Sequence, residues 1–306
     1  MIQKFEGLIA APFAPMDEKG AVVLEKIAPY YYFLKRNNVK GAFINGSTGE
    51  GVSLTQKERQ KIAEKWVEAA KENPSVKIIN LVGGTSYAEC IENAQYSAEI
   101  GADAIALLAP YYFKPSGAKA LAEFCARVAE SVPQTPLYFY HIPVLSGCFV
   151  PMYDFLQEAA PVIPNLVGIK YTHEDFMDFL SCLRFMDEKY EMLWGRDENL
   201  LSALVLGATG GVGSTYNYAS PLYYQLIDAF NKGDLVLARE LQQKSIDMIR
   251  LLGKYGGIAT GKAFMKYIGF DCGGFRLPIK NKWLAKYDEF KEEVRALKME
   301  NLFSTL

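Results

Sequence analysis

The stretch LYFYHIPVLSGCFVPMYDFLQEAAPVIPNLVGIKY, residues 137–171, holds one complete repeat of the pattern that decides the fold. It opens on a short apolar run, residues 137–140, and closes on another, residues 166–171, both of strand length and neither strictly alternating with polar residues. Runs of that kind suit strands covered on both faces. Between them, residues 151–160 carry apolar side chains at helical spacing behind Pro151, and a first helical turn tolerates proline because its N–H has no partner there. The unit reads as strand, helix, strand, the connection that joins parallel neighbours.

The same unit extends in both directions. Further strands are predicted at residues 8–14, 41–45, 77–82, 104–109, 191–194 and 207–213, the last on weak grounds because glycine and alanine fit strands poorly. Helices are predicted at residues 23–36, 55–71, 86–99, 117–131, 175–186 and 198–206, with an eighth beginning near Pro221. Thr55 precedes Glu58, and Ser86 precedes Glu89, at capping-box spacing. A strand-then-helix order repeated through the chain predicts an α/β fold, a closed (β/α)8 TIM barrel. No GxGxxG turn follows the first strand, which weighs against a doubly wound dinucleotide-binding sheet. Residues 234–252, 260–268 and 281–297 add helices that the barrel does not require. The expected organisation is therefore a barrel over residues 1–229 and a C-terminal helical extension over residues 230–306, packed on the barrel and not an independent domain.

Composition narrows the function classes. Half of the 306 residues are hydrophobic, enough for a large core, and 33 Lys and Arg nearly balance 35 Asp and Glu. A net charge of -2 gives no electrostatic reason to expect nucleic acid or an anionic membrane as partner. Residues 1–7 lack the basic-then-apolar order of a signal peptide, and no apolar run reaches membrane-spanning length, so the expected location is cytoplasmic. Five scattered cysteines read as free thiols in a reducing compartment. With His141 and His173 the only histidines, neither a histidine zinc site nor a Ser-His-Asp triad is supported, and no metal is expected.

Lys170 is the charged residue inside the apolar run that ends the quoted stretch. Alternation puts Gly168, Lys170 and Thr172 on one face, and Val167, Ile169 and Tyr171 on the other. If the first set faces the barrel mouth, burial pushes the ammonium toward the neutral amine, which is the form that attacks carbonyls. The competing reading is a strand-end lysine in solvent or an ion pair. Tyr138 and Tyr140 share a face one strand earlier, and a phenol there suits proton transfer; the alternative is an amphipathic core tyrosine. After the second strand, residues 46–51 (GSTGEG) combine glycines with hydroxyls, suiting either a backbone cradle for a carboxylate or a tight structural turn. Residues 194–198 (WGRDE) place two carboxylates at the mouth, where they would accept hydrogen bonds from a polyhydroxylated substrate or sit as the acidic start of a helix. Residues 210–214 (GGVGS) permit a close backbone approach to ligand or relieve crowded packing.

Taken in order, GSTGE, Tyr-x-Ile-Pro at residues 140–143, Gly-Ile-Lys at residues 168–170 and Gly-x-Asp-Glu at residues 195–198 give a sequence that resembles the N-acetylneuraminate lyase and dihydrodipicolinate synthase superfamily over nearly its whole length. The resemblance implies that Lys170 forms a Schiff base with pyruvate and that Tyr140 transfers protons. It implies that Ser47 and Thr48 serve the pyruvate carboxylate and the proton network, and that Tyr112 contributes a hydroxyl shared between subunits. Thr172, Gly195, Asp197, Glu198 and Ser214 fall to recognition of the sugar-acid chain. It further implies a homotetramer built as a dimer of dimers, with sialic acid and pyruvate as small-molecule partners and no cofactor, because the lysine is itself the electron sink.

The synthases of this superfamily carry an arginine shortly after the tyrosine segment. Residues 143–147 (PVLSG) have none, and leucine or serine cannot supply a bidentate clamp, which favours the lyase reaction. The alternatives are another pyruvate-dependent aldolase for 2-keto-3-deoxy sugar acids, the synthase, or a barrel retained for ligand sensing or structure. His141, neighbour of Tyr140, is expected to face away from the barrel interior and to be structural; alternation leaves the side of Arg196 open.

Overall fold

The computed structural model describes residues 7–306, so the N-terminal reading of residues 1–6 lies outside the described residues. Eight strands, β1 (Gly7–Ala10), β2 (Gly41–Ile44), β3 (Lys77–Leu81), β4 (Ala104–Leu108), β5 (Leu137–His141), β6 (Leu166–Tyr171), β7 (Glu191–Trp194) and β8 (Gly210–Gly213), pair in parallel in chain order. β8 closes on β1, with Leu8 opposite Gly211 and Ala10 opposite Gly213. The helices between and after them are α1 (Ile27–Arg36), α2 (Gln56–Glu72), α3 (Tyr87–Ile100), α4 (Ala118–Ala129), α5 (Pro143–Ser146), α6 (Met152–Ala159), α7 (Phe176–Arg184), α8 (Leu200–Leu206) and α9 (Tyr216–Asn231). Three more, α10 (Leu235–Tyr255), α11 (Thr260–Tyr267) and α12 (Tyr287–Ala296), follow the barrel. The fold is the predicted (β/α)8 barrel with C-terminal helices.

Strand alternation divides the core in two. Ile9, Phe43, Leu81, Leu108, Tyr140 and Val212 point into the barrel and form one cluster. Leu8, Ile44, Phe139, Ile169 and Trp194 point outward into a larger layer beneath the helices, where Trp66 of α2 joins them. That outer layer runs on to Met248, Phe264 and Phe290 of the C-terminal helices. Each such side chain contributes about 1.5–3 kcal/mol when fully buried. At the start of α2 the Thr55 hydroxyl accepts the Glu58 N–H while the Glu58 carboxylate accepts the Thr55 N–H, a complete capping box. Ser86 caps α3 by accepting the Glu89 N–H.

The structure corrects several boundaries, each for an identifiable reason. β1 stops at Ala10 and not at residue 14, two residues ahead of Pro12, which has no N–H to give a ladder. Gly207 does not open β8; it ends α8 in the left-handed conformation, φ 106°. α9 begins at Tyr216, ahead of Pro221, and kinks at Ala219 before continuing through the proline. Pro151 is the N-cap of α6, whose first helical residue is Met152. The one-turn helix α5, opened by Pro143, was not foreseen. The register between β5 and β6 slips by one residue, from Leu137 opposite Leu166 to Tyr138 opposite Gly168. Val167 therefore joins the interior cluster and does not lie with Ile169 and Tyr171 outside. Among the described residues, no helix is long and apolar enough to cross a membrane, and all five cysteines are free and buried.

Candidate active site

Beyond that slip the register places Tyr140 opposite Lys170 on adjacent strands, both at the C-terminal end of the barrel where such folds carry their sites. Lys170 is 4% exposed. Its Nζ lies 4.0 Å from the centre of the Phe43 ring and 3.9 Å from that of Tyr140, and the two rings meet edge to face. The ring faces attract a cation, but they do not replace the water that burial removes. Desolvation therefore pulls the Lys170 amine down to about 7, against the opposing pull of the Asp197 charge. A substantial fraction is thus neutral near pH 7, which a lysine in water never approaches.

The Tyr140 hydroxyl is the polar group that stands beside Lys170. Burial pushes its pKa up to about 12, and the Ser47 and Thr172 hydroxyls, which lower it, offset part of that rise. It is a neutral phenol at physiological pH. Ser47 and Thr48 stand on the turn after β2, where Asn45 takes a left-handed conformation and its amide Nδ2 donates to the Arg59 carbonyl at 3.0 Å and to Asn80 Oδ1 at 2.8 Å. The turn's own hydrogen bonds run from the Glu50 and Gly51 N–H groups to the Ser47 and Gly46 carbonyls. Among the described residues, no protein acceptor takes the Ser47 or Thr48 N–H. A concavity of free amides beside a lysine suits a carboxylate.

Asp197, 5% exposed, stands across the mouth. Its Oδ2 accepts the Thr215 N–H at 3.0 Å and the Thr215 hydroxyl at 2.6 Å. A threonine hydroxyl has one proton, and the carboxylate takes it, so the Tyr223 hydroxyl 2.6 Å away donates to Thr215. Ser245 on α10 lies 2.8 Å beyond Tyr223. The Asp197 carbonyl accepts from Gln242 at 3.2 Å; Ser245, whose one proton goes to Tyr223, stands 3.3 Å from it. Oδ1 is buried and makes no close hydrogen bond, with the buried Tyr216 hydroxyl beside the carboxylate as its neighbouring protein donor. Burial raises this carboxyl to about 6, and the Thr215 bonds and Lys170 oppose the rise.

The glycines make room for these groups. A Cβ on Gly213 would lie 1.9 Å from Asp197 Oδ1, and one on Gly195 would lie 2.0 Å from Thr172 Oγ1. Crowding, the second of the two readings of residues 210–214, explains Gly213. Ser214 is half-buried and its carbonyl accepts from the Asn217 amide, so in the chain alone Thr215 and not Ser214 contacts Asp197. Arg196 pairs with Glu174 at 2.6 Å and with Glu198 at 2.9 Å at the rim. His141 packs on Tyr171 outside the barrel, and burial lowers its pKa to about 3. Tyr112 is 76% exposed, edge-on to Phe113, and does not join the Lys170 cluster within one chain.

With this geometry in place, the comparisons are specific. The profile of the Dihydrodipicolinate synthetase family matches residues 4–297. The chain belongs to that family. It is 40% identical to the N-acetylneuraminate lyase of Rattus norvegicus, over 91% of this chain and 88% of the relative. Against the N-acetylneuraminate lyase of Homo sapiens it is 39% identical, over 96% and 93% of the two chains. The solved N-acetylneuraminate lyase of Proteus mirabilis superimposes with a TM-score of 0.93 at 38% identity, covering 96% of this chain and 99% of that one.

Several groups of this family member's site escaped sequence reasoning. Phe43 lay within a predicted strand, but nothing in the pattern set its ring under a lysine more than a hundred residues away. Thr215 adjoins Ser214, so the segment was found and the contacting side chain was not. Tyr223 and Ser245 left no signal at all, because their helices meet Asp197 only after the barrel closes.

Proposed function

We propose that the chain is a class I aldolase that reversibly cleaves N-acetylneuraminate to N-acetylmannosamine and pyruvate through a Schiff base on Lys170. The observation that carries the reading is the Lys170 amine, buried between two aromatic rings with its pKa drawn to about 7 and the Tyr140 phenol beside it. Similarity to N-acetylneuraminate lyases over nearly the full chain supports the sugar acid. So does the segment Pro143–Ser146, which offers no arginine to a second substrate's carboxylate.

Neutral Lys170 adds to the C2 carbonyl of the open-chain keto acid and loses water to give an iminium. When the C4 hydroxyl gives its proton to the Tyr140 oxygen while the phenol passes its own proton to the substrate carboxylate, the C3–C4 bond breaks and its electron pair enters the iminium as an enamine. N-acetylmannosamine leaves, C3 is reprotonated, and water releases pyruvate from Lys170. Ser47 and Thr48 hold the carboxylate through their free amides and hydroxyls. Thr172, Asp197, Glu198 and Ser214 face the sugar chain, with Gly195 leaving room for Thr172. Tyr112 serves the pocket of a neighbouring copy in a homotetramer, as the resemblance implies.

Incubation with pyruvate followed by borohydride is expected to fix a pyruvate-derived adduct on Lys170, mapped by peptide mass. No adduct on a folded chain would sink the reading and leave a ligand-sensing barrel. Adduct formation is expected to rise with pH around a midpoint near 7, set by loss of the Lys170 proton. An ordinary lysine would give a midpoint about three units higher. Efficient turnover of other 2-keto-3-deoxy sugar acids with negligible turnover of N-acetylneuraminate would favour the alternative aldolase. Tyr140→Phe removes the phenol and keeps the ring over Lys170. Its expected effect is a loss of about 10³-fold in kcat for cleavage, with the Lys170 adduct still trapped; wild-type turnover in that variant would exclude the proton-transfer role.

A further inference from the structure

In GSTGEG the roles above use Ser47 and Thr48 and leave Glu50 without one. Glu50 follows them in the left-handed conformation, φ 57°, with its side chain 3% exposed. The group that meets it comes from the far end of the chain. Lys262 on α11, 0% exposed, donates to Glu50 Oε1 at 2.9 Å, to the Ala14 carbonyl at 2.8 Å and to the Gly274 carbonyl at 2.6 Å. The Arg276 N–H donates to Glu50 Oε2 at 2.8 Å. All three ammonium protons and both carboxylate oxygens are thus engaged, which leaves the pair one geometry. The same C-terminal segment also grips the start of α2, where the Arg276 guanidinium Nη1 donates to Glu58 at 3.0 Å.

A buried ion pair of this kind adds little net stability over an apolar pair of equal volume, and what its fully engaged geometry supplies is a fixed orientation. The path from the pair to the site is short. The Glu50 N–H donates to the Ser47 carbonyl at 3.2 Å, and the Ser47 hydroxyl is near enough to Tyr140 to lower its pKa. We propose that Glu50 and Lys262 are positioning residues that set the Ser47–Thr48 turn for the carboxylate of the 2-keto acid. The C-terminal helices then form part of the substrate site and are not only an outer layer. This inference rests on the aldolase reading of that turn.

The test uses pyruvate as probe in the full chain, measuring adduct formation on Lys170 against pyruvate concentration. Lys262→Met leaves Glu50 buried and unpaired and risks unfolding. The double variant Lys262→Met with Glu50→Gln removes both charges, and Glu50→Gln alone keeps the side-chain volume. In both of the latter, assayed where the variant is folded, the half-saturating pyruvate concentration is expected to rise about tenfold, equivalent to about 1.4 kcal/mol, with the final yield of adduct unchanged; Glu50→Gln, which leaves the Lys262 ammonium without its carboxylate, also lowers the melting temperature. A purely structural role would lower the melting temperature and leave half-saturation where it was. Half-saturation within twofold of the unmodified chain in both variants would overturn the positioning role alone. No adduct in the unmodified chain would overturn the aldolase reading, and this inference with it.

Discussion

Lys170→Met is expected to abolish cleavage and to make the protein more stable. Loss of the nucleophile removes the covalent route altogether, so kcat is expected to fall by at least about 10⁴-fold, with no borohydride-trapped adduct. The stability gain follows from desolvation. The folded chain holds the amine at about 7, far below its value in the unfolded chain, where it titrates as an ordinary lysine. Between about pH 7 and pH 10 the unfolded chain therefore binds more protons, and wild-type stability rises with pH across that window. Below pH 7 both states are protonated and the penalty is constant and greatest, on the order of a few kcal/mol. Methionine fills a similar volume between Phe43 and Tyr140 without a charge. The melting temperature of the variant is expected to exceed that of wild type by several degrees at pH 6.5, with the gap narrowing toward pH 10. A lower melting temperature at pH 6.5, or a gap that widens with pH, would show that the amine is not held desolvated.

What was readable in the sequence and what was not divides along a physical line. Lys170 was legible because a charge in an apolar run is conspicuous, and because period-two alternation is local: it put Lys170 and Thr172 on one face, and the structure gathers both around Tyr140. The barrel was legible because the strand-and-helix unit recurs. Val167 was misplaced because a one-residue slip in register depends on the partner strand, and β6 carries no mark of it. Gly207 reads as strand from sequence because a glycine that ends a helix and one that begins a strand look alike until the helix end is fixed. Glu50 was read as one letter of a turn. Its partner lies 212 residues away, and only the closed fold reveals that the turn is anchored from the C-terminal helices.

The second large effect concerns Asp197, where the proposed substrate preference and the chemistry of Lys170 meet. Thr215 occupies one carboxylate oxygen, and behind it the donors Tyr223 and Ser245 are aligned in the same direction. The other oxygen is buried beside the Tyr216 hydroxyl but makes no close hydrogen bond, so it retains capacity to accept from a ligand hydroxyl. Asp197→Asn keeps an acceptor for Thr215 but turns a donor toward the position of a sugar hydroxyl. On N-acetylneuraminate, kcat/KM is expected to fall by about 100-fold, the equivalent of about 2.7 kcal/mol. Pyruvate itself has no hydroxyl chain to lose, so trapping of Lys170 is expected to persist. Its pH dependence is expected to move in a definite direction. The Asp197 charge raises the Lys170 pKa against desolvation, so removing it lowers the amine further and shifts the trapping midpoint below 7. Cleavage and trapping measured on one preparation separate the two roles. Parallel losses in both, or a midpoint moving upward, would mean that Asp197 holds the pocket's shape and neither reads the sugar chain nor tunes the lysine.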